Sequence, residues 1–246
     1  MSISKIEHNL YTLYRKMASL SANVIQEEQG VSWVNCQPQT WPRTLFGTSS
    51  APLDFSTLVE KIKLGKIPPH WIMLQNKDDI LQKKLKENRF RLMNQWSGMA
   101  LNLSQHDFEH THTQEVTNLK DLNAWLKVVN QTLFSSNPLD ENIMQRVFEL
   151  DDSIRFYVHK EENKVVSTGL SHDTEDTSGF YMIATLEAYR AKGYGTSITQ
   201  QMLLDAKERK LATAILQATP MGAKVYTKLG FQQFCIFDIY WLLGIR

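Results

Sequence analysis

Residues 190–196 read Arg-Ala-Lys-Gly-Tyr-Gly-Thr and follow directly on an apolar run containing Tyr181, Met182, Ile183, Ala184 and Leu186. Such a run predicts a strand covered on both faces, and the glycines then mark a turn into a helix. Gly193 and Gly195 remove two β-carbons where that helix begins. Several backbone N–H groups can therefore converge on one point, where the helix dipole adds positive potential. That arrangement suits a pyrophosphate. The spacing matches neither GxxxxGK[ST] nor a GxGxxG after a first strand. Two other sets of reactive side chains carry less. His106, Asp107, His110 and His112 are of metal-ligating types, but the segment is polar and non-periodic. It is expected to be a solvated linker without a metal. Cys36 and Cys235 have no metal-ligand spacing and imply no disulfide framework, so both are expected to be reduced thiols, Cys235 within a strand.

The stretch ATLEAYRAKGYGT, with its Arg-x-x-Gly-x-Gly, resembles the acetyl-CoA pyrophosphate loop of the GNAT superfamily of N-acetyltransferases. Downstream, LQATPMGAKVYTKLGF, ending Tyr-x-x-x-Gly-Phe, is similar to the second half of that fold. The likeness covers roughly residues 115–246. It implies acetyl-CoA as co-substrate and transfer of the acetyl group to a primary amine, carried on a small molecule or a peptide, by direct attack. The alternative in a different class is a catalytically silent module that senses acetyl-CoA.

The resemblance also implies roles. Cofactor binding falls to Ile183, Ala184 and Thr185 on the strand and to Arg190, Ala191, Lys192, Gly193, Tyr194, Gly195 and Thr196 in the loop. Thr196 adds a hydroxyl, and Arg190 serves as phosphate partner or as a clamp on the turn. The pantetheine arm would lie along 182–185 like an added strand, and a bulge there would aim an N–H at the thioester carbonyl. Tyr226, four residues before Gly230, stands where the family keeps its general acid. A phenol of pKa about 10 stays protonated at neutral pH and can still donate to a nascent thiolate whose acid has a pKa of about 8.5. The base is left open by the residues: Glu187, at the end of the strand, is the best-placed carboxylate, ahead of Glu149 and His172, and a chain of water serving as base is the alternative. Lys224 and Lys228 are either solvated or near the 3′-phosphate. Leu186-Glu187 stands where many relatives have an apolar residue and a proline.

The fold these residues need is α/β (α+β): a mixed, mostly antiparallel sheet flanked by helices. For residues 114–246 the periodicity predicts strand, helix, helix, three strands, helix, strand, helix, strand. The helices cover 118–134, 140–148, 196–209 and 221–229, and 171–178 is expected to be a polar loop. Residues 1–105 form a second α/β lobe without a phosphate loop, joined through a linker at 106–113. Whether that lobe is a degenerate half-copy of the acetyltransferase fold is an open alternative. Within it, Ile3, Ile6, Leu10, Leu13, Tyr14 and Met17 predict a helix over 3–19. Strands follow at 23–27 and 31–36, and 37–53 is expected to be a surface loop with Trp33 and Trp41 packed beside it. Asp54 caps a helix carrying Leu58, Val59 and Ile62. A strand over 71–74 follows, then a helix with Ile80, Leu81 and Leu85 on its buried face. Last comes a long strand over 90–103, bent at Gly98.

Of 246 residues, 42% are hydrophobic and 22% charged, with a net charge of +1. That balance is ordinary for a globular chain and points to neither nucleic acid nor an anionic membrane. No stretch of about 18 apolar residues occurs and the first residues are too polar for a signal peptide. A cytoplasmic location is expected, and the oligomeric state stays open.

Overall fold

In the computed structural model, residues 2–20, 25–28, 31–35, 41–48 and 53–244 are described. Helix α1 (Ile3–Leu20) buries Ile6, Leu10, Leu13, Tyr14 and Met17, the apolar stripe of its sequence, while Ile3 remains exposed. The stripe touches two clusters at once. Ile6 and Leu10 pack with Val34, Ile72 and Phe237, and Leu13 and Met17 with Trp125, Val147 and Phe156.

The first half continues with β1 (Gln26–Glu28), β2 (Val31–Asn35), β3 (Arg43–Phe46), α2 (Phe55–Lys63), β4 (His70–Leu74), α3 (Asp79–Glu87) and β5 (Phe90–Asn102). Asp54 and Asp78 cap α2 and α3 by accepting from first-turn amides. Two expectations are corrected here. Residues 43–46, placed in a loop, form β3, whose Thr44, Leu45 and Phe46 are buried between β2 and β4. Proline and serine on either side hid a strand of only four residues. Ile80 does not join the buried face of α3; it is 76% exposed, and Leu81 and Leu85 carry the packing. Cys36, residues 23–24 and the turn residues 29–30 lie outside the described residues.

The second half comprises β6 (Thr113–Glu115), α4 (Leu119–Thr132), α5 (Glu141–Leu150), β7 (Ile154–Glu161), β8 (Lys164–Thr174), β9 (Thr177–Thr185), α6 (Tyr194–Glu208), β10 (Thr213–Ala218), α7 (Pro220–Lys228) and β11 (Gln232–Leu242). Residues 171–178 are not a polar loop: β8 and β9 run on to a tight turn at Glu175-Asp176. The polar side chains that suggested a loop are buried in the hairpin, Ser171, His172 and Ser178 completely. Burial holds the His172 imidazole neutral, its pKa pushed down to about 4.

All described strands form one sheet in the order β1-β2-β3-β4-β11-β5-β10-β9-β8-β7-β6, antiparallel except at β3–β4 and β9–β10. Alternation along the strands divides the helices between the faces. Ile72 and Ile215 face α1, on the side that also carries α4 and α5. Trp71 faces α2 and α3, and Ala214 and Leu216 face α6, on the other side. The division expected at 106–113 is not a break in the sheet, because β5, which precedes it, hydrogen-bonds to both β10 and β11, which follow it. The segment itself is strapped to α6. Thr111 N–H donates to Gln201 Oε1 at 2.9 Å, and Lys207 Nζ donates to the His106 carbonyl at 2.7 Å. Among the described residues, no group of three or more metal-ligating side chains comes together, and no helix is long and apolar enough to cross a membrane.

A buried amide fixes α1 to the centre of the sheet. Asn9 Nδ2 donates to the His172 carbonyl at 3.0 Å and to Thr174 Oγ1 at 2.8 Å, and its Oδ1 accepts from the Tyr181 hydroxyl at 2.6 Å. The approach requires a glycine at 179, since a β-carbon there would overlap Asn9 Oδ1. Gly179→Ala is expected to destabilise the protein by about 1–3 kcal/mol, measured by urea unfolding. A fragment of residues 110–246, lacking β5 between β10 and β11, is expected to aggregate or to bind CoA poorly, as sedimentation and calorimetry would show.

Candidate active site

Strands β9 and β10 pair in parallel for only four residue pairs, from Thr177–Thr213 to Phe180–Leu216. Beyond that they part, although β9 continues to Thr185 and β10 to Ala218. The edge of β9 from Tyr181 to Thr185 therefore has no strand beside it on that side. On its other side β9 is bulged. Met182 and Ile183 both stand opposite Gly169, between the pairs Tyr181–Leu170 and Ala184–Thr168. Met182 sits at φ 50°, a left-handed conformation sparsely used by residues with a β-carbon. Neighbours hold it there. Thr168 Oγ1 donates to the Met182 carbonyl at 3.2 Å, Ser167 Oγ to the Ala184 carbonyl at 2.9 Å, and the Trp125 indole N–H to the Gly169 carbonyl at 2.9 Å.

The glycine turn lies at one end of this opening. Leu186 leaves β9, a single 3₁₀ turn covers Glu187–Tyr189, and Ala191 and Gly193 take positive φ values of 62° and 86°. Gly193 is the N-cap of α6 and no side chain caps the helix. The first-turn amides of Tyr194, Gly195 and Thr196 precede the first intrahelical bond, which Ser197 N–H makes to the Gly193 carbonyl. Arg190 Nε donates to the Thr185 carbonyl at 3.3 Å, tying the turn to the strand end. Lys192 Nζ lies over the Tyr189 ring, 5.2 Å from its centroid. Tyr194 hydrogen-bonds Glu161 and packs against His159.

Helix α7 forms the other wall. Thr219 caps it by accepting from Gly222 N–H, with Pro220 in its first turn. Tyr226 is half-buried, its ring edge-on to Phe231 at 6.0 Å. Burial pushes the Tyr226 phenol up to about 12, so it stays protonated through the neutral range.

The opening is part of a cleft of about 740 Å³ lined by Ile183, Ala184, Thr185, Arg190, Gly195 and Tyr226 among others. Six of the expected site residues thus meet in one cavity, with Ala191, Lys192, Gly193, Tyr194 and Thr196 in or just behind the turn at its end. Glu187 is not brought there. It is exposed on the 3₁₀ turn and is not part of the lining, because the chain leaves β9 before reaching it. Glu149 is exposed on α5, hydrogen-bonded to Gln145, and His172 is sealed beneath α1. Lys224 and Lys228 are exposed on α7.

Sequence reasoning missed the far wall, formed by Tyr14, Trp41, Trp96, Leu133 and Phe134. Trp41 stacks edge-on against Tyr14 at 5.6 Å and Phe134 at 6.2 Å, so it both packs and faces the cavity.

Residues 152–233 match the family model described as an acetyltransferase (GNAT) domain. Over nearly its whole length the fold is similar to a GCN5-related N-acetyltransferase from Kribbella flavida, with a TM-score of 0.72 at 12% identity, over 99% of this chain and 97% of that one. It is also similar to a GCN5-related N-acetyltransferase from Sphaerobacter thermophilus, with a TM-score of 0.60 at 12% identity, over 87% and 81% of the two chains. At these identities the likeness is one of fold. No curated protein matches the sequence significantly.

Gly193 has open space around the position of a β-carbon, so a side chain there would occupy the mouth of the turn rather than clash within the protein. Gly193→Asp adds strain at positive φ and a negative charge in that space. It is expected to weaken acetyl-CoA binding by several kcal/mol in calorimetric titration of the folded variant, and unchanged affinity would remove the turn from the site.

Proposed function

We propose that the chain, whose residues 152–233 match a GNAT acetyltransferase domain, transfers the acetyl group of acetyl-CoA to a primary amine by direct attack, with Tyr226 as general acid. The observation that carries this reading is the parting of β9 and β10. It leaves a length of strand edge unpaired, with an uncapped helix N-terminus at one end and a protonated phenol on the facing wall.

In this reading the amides of Tyr194, Gly195 and Thr196 hold the pyrophosphate, and Arg190 serves as the clamp that keeps them aimed. The edge of β9 from Met182 to Thr185 receives the pantetheine amides as an adjacent strand would. The bulge at Met182-Ile183 releases an N–H from the β8 ladder, and that N–H steadies the carbonyl oxygen as it gains charge. The amine must arrive neutral. As the carbon–nitrogen bond forms and the carbon–sulfur bond breaks, Tyr226 gives its proton to the departing sulfur and is reprotonated from solvent. The proton lost by the amine leaves through water, since no carboxylate lines the cleft among the described residues.

Tyr226→Phe keeps the ring and removes the proton. Turnover is expected to fall about 10²–10⁴-fold, with acetyl-CoA affinity unchanged by calorimetry. Retention of more than half the parent rate with chemistry rate-limiting would leave cofactor binding alone and favour the sensing role. The pH profile follows from the phenol. Because its pKa is raised to about 12, the donor form persists to high pH. The parent enzyme's kcat/KM is therefore expected to rise as the acceptor ammonium loses its proton, with no descending limb before the phenol itself ionises.

A further inference from the structure

We infer that the acceptor is a small monoamine carried on an aromatic or aliphatic body, and neither a polycation nor a peptide; this rests on the acetyl-transfer reading above. The part of the cleft beyond the phosphate turn is walled by Tyr14 from α1, Trp41 ahead of β3, Trp96 from β5, and Leu133 and Phe134 at the end of α4. Leu133 is 49% exposed, and Met221 and Val225 across the opening are 81% and 40% exposed. They add apolar surface that a ligand could cover.

The charge pattern is the second observation. Among the described residues lining the cleft, Arg190 is the only Asp, Glu, Lys, Arg or His, and it stands at the phosphate end. A second ammonium on the substrate would therefore enter an apolar space without a counter-charge, which is strongly unfavourable. A peptide would bring amides past its first residue that need partners. Gln217 borders the cleft, but its Nε2 is buried and out of a ligand's reach.

The same walls answer the missing base. Apolar surroundings disfavour the ammonium form of a bound amine, so a lone amine is shifted toward the neutral nucleophile by the cavity itself. The aromatic faces of Trp41 and Trp96 would take the body of such a substrate, as aromatic anchors do in other apolar sites.

The test compares amines of matched size by thiol release from acetyl-CoA. n-Hexylamine against hexamethylenediamine differs only by one ammonium, and phenethylamine against phenylalanyl-diglycine differs by the peptide extension. We expect kcat/KM to be at least about tenfold higher for n-hexylamine and phenethylamine than for their partners. Equal or better use of the diamine or the peptide overturns the inference. So does faster transfer from octanoyl-CoA than from acetyl-CoA, because the apolar wall would then serve the donor. If no amine turns over, saturation-transfer NMR with the CoA complex decides, and failure of phenethylamine to bind overturns it. Failure of acetyl-CoA to bind in calorimetry instead overturns the underlying acetyl-transfer reading. Two variants complete the test. Trp41→Ala is expected to raise KM for phenethylamine about tenfold while acetyl-CoA affinity stays within about twofold. Leu133→Asp, at an exposed position that tolerates charge, is expected to shift preference toward the diamine. No shift in a folded Leu133→Asp protein counts against the assignment of that wall.

Discussion

The parting of β9 and β10 is the constraint on which the site depends. Two parallel strands that stayed paired would consume every backbone donor and acceptor between them. Here pairing stops at Phe180 and Leu216. The freed edge is tolerable only because it faces a cleft where a ligand or water can satisfy it. The bulge at Met182 works with this parting, since it turns β9 and bends it away from the straight ladder with β8. Thr168, Ser167 and Trp125 hold the bulge from the β8 side, so its strained conformation is fixed by the core rather than by the ligand.

The first half of the chain completes both the sheet and the cavity. β5 sits between β10 and β11, giving β10 a partner on the side away from the opening. Without it both strands would present free edges. Helix α1 crosses beneath the middle of the sheet and is pinned there by Asn9, whose amide satisfies carbonyl, hydroxyl and phenol partners at once. The same helix supplies Tyr14 and Leu10 to the cleft, so the packing that joins the halves also shapes the acceptor wall.

The cleft itself divides by polarity. The glycine-turn end presents main-chain amides with Arg190, and the rest of the lining is mainly aromatic and aliphatic, with no other charged side chain among the described residues. Main-chain donors are set by backbone conformation and suit a cofactor whose phosphates do not vary. Side-chain walls can change one residue at a time, which is where selectivity for an acceptor is placed.

Much of this was legible in the order of residues. Gly193 after an apolar run marked the turn into α6, because only a residue without a β-carbon adopts φ 86° at little cost. The helices α1, α4 and α6, and the cap at Asp54, are local and were read correctly. Non-local satisfaction was not legible. The stretch 171–178 reads as a loop because its side chains are polar, yet Ser171, His172 and Ser178 are buried in the hairpin, where Asn9 donates to Thr174 Oγ1 and Ser178 Oγ donates to Asp173. Strand β3 is too short to show a period, and β5 shows nothing of the place it takes between β10 and β11. Glu187 looked close to the chemistry because it is close in sequence, but the turn carries it to solvent. By itself the sequence determined the glycine turn and the helices, both set by local conformation and residue type. Only the tertiary structure decided the aromatic wall of the cleft, because Tyr14, Trp41, Trp96 and Phe134 meet through packing of segments with no local reason to be near one another.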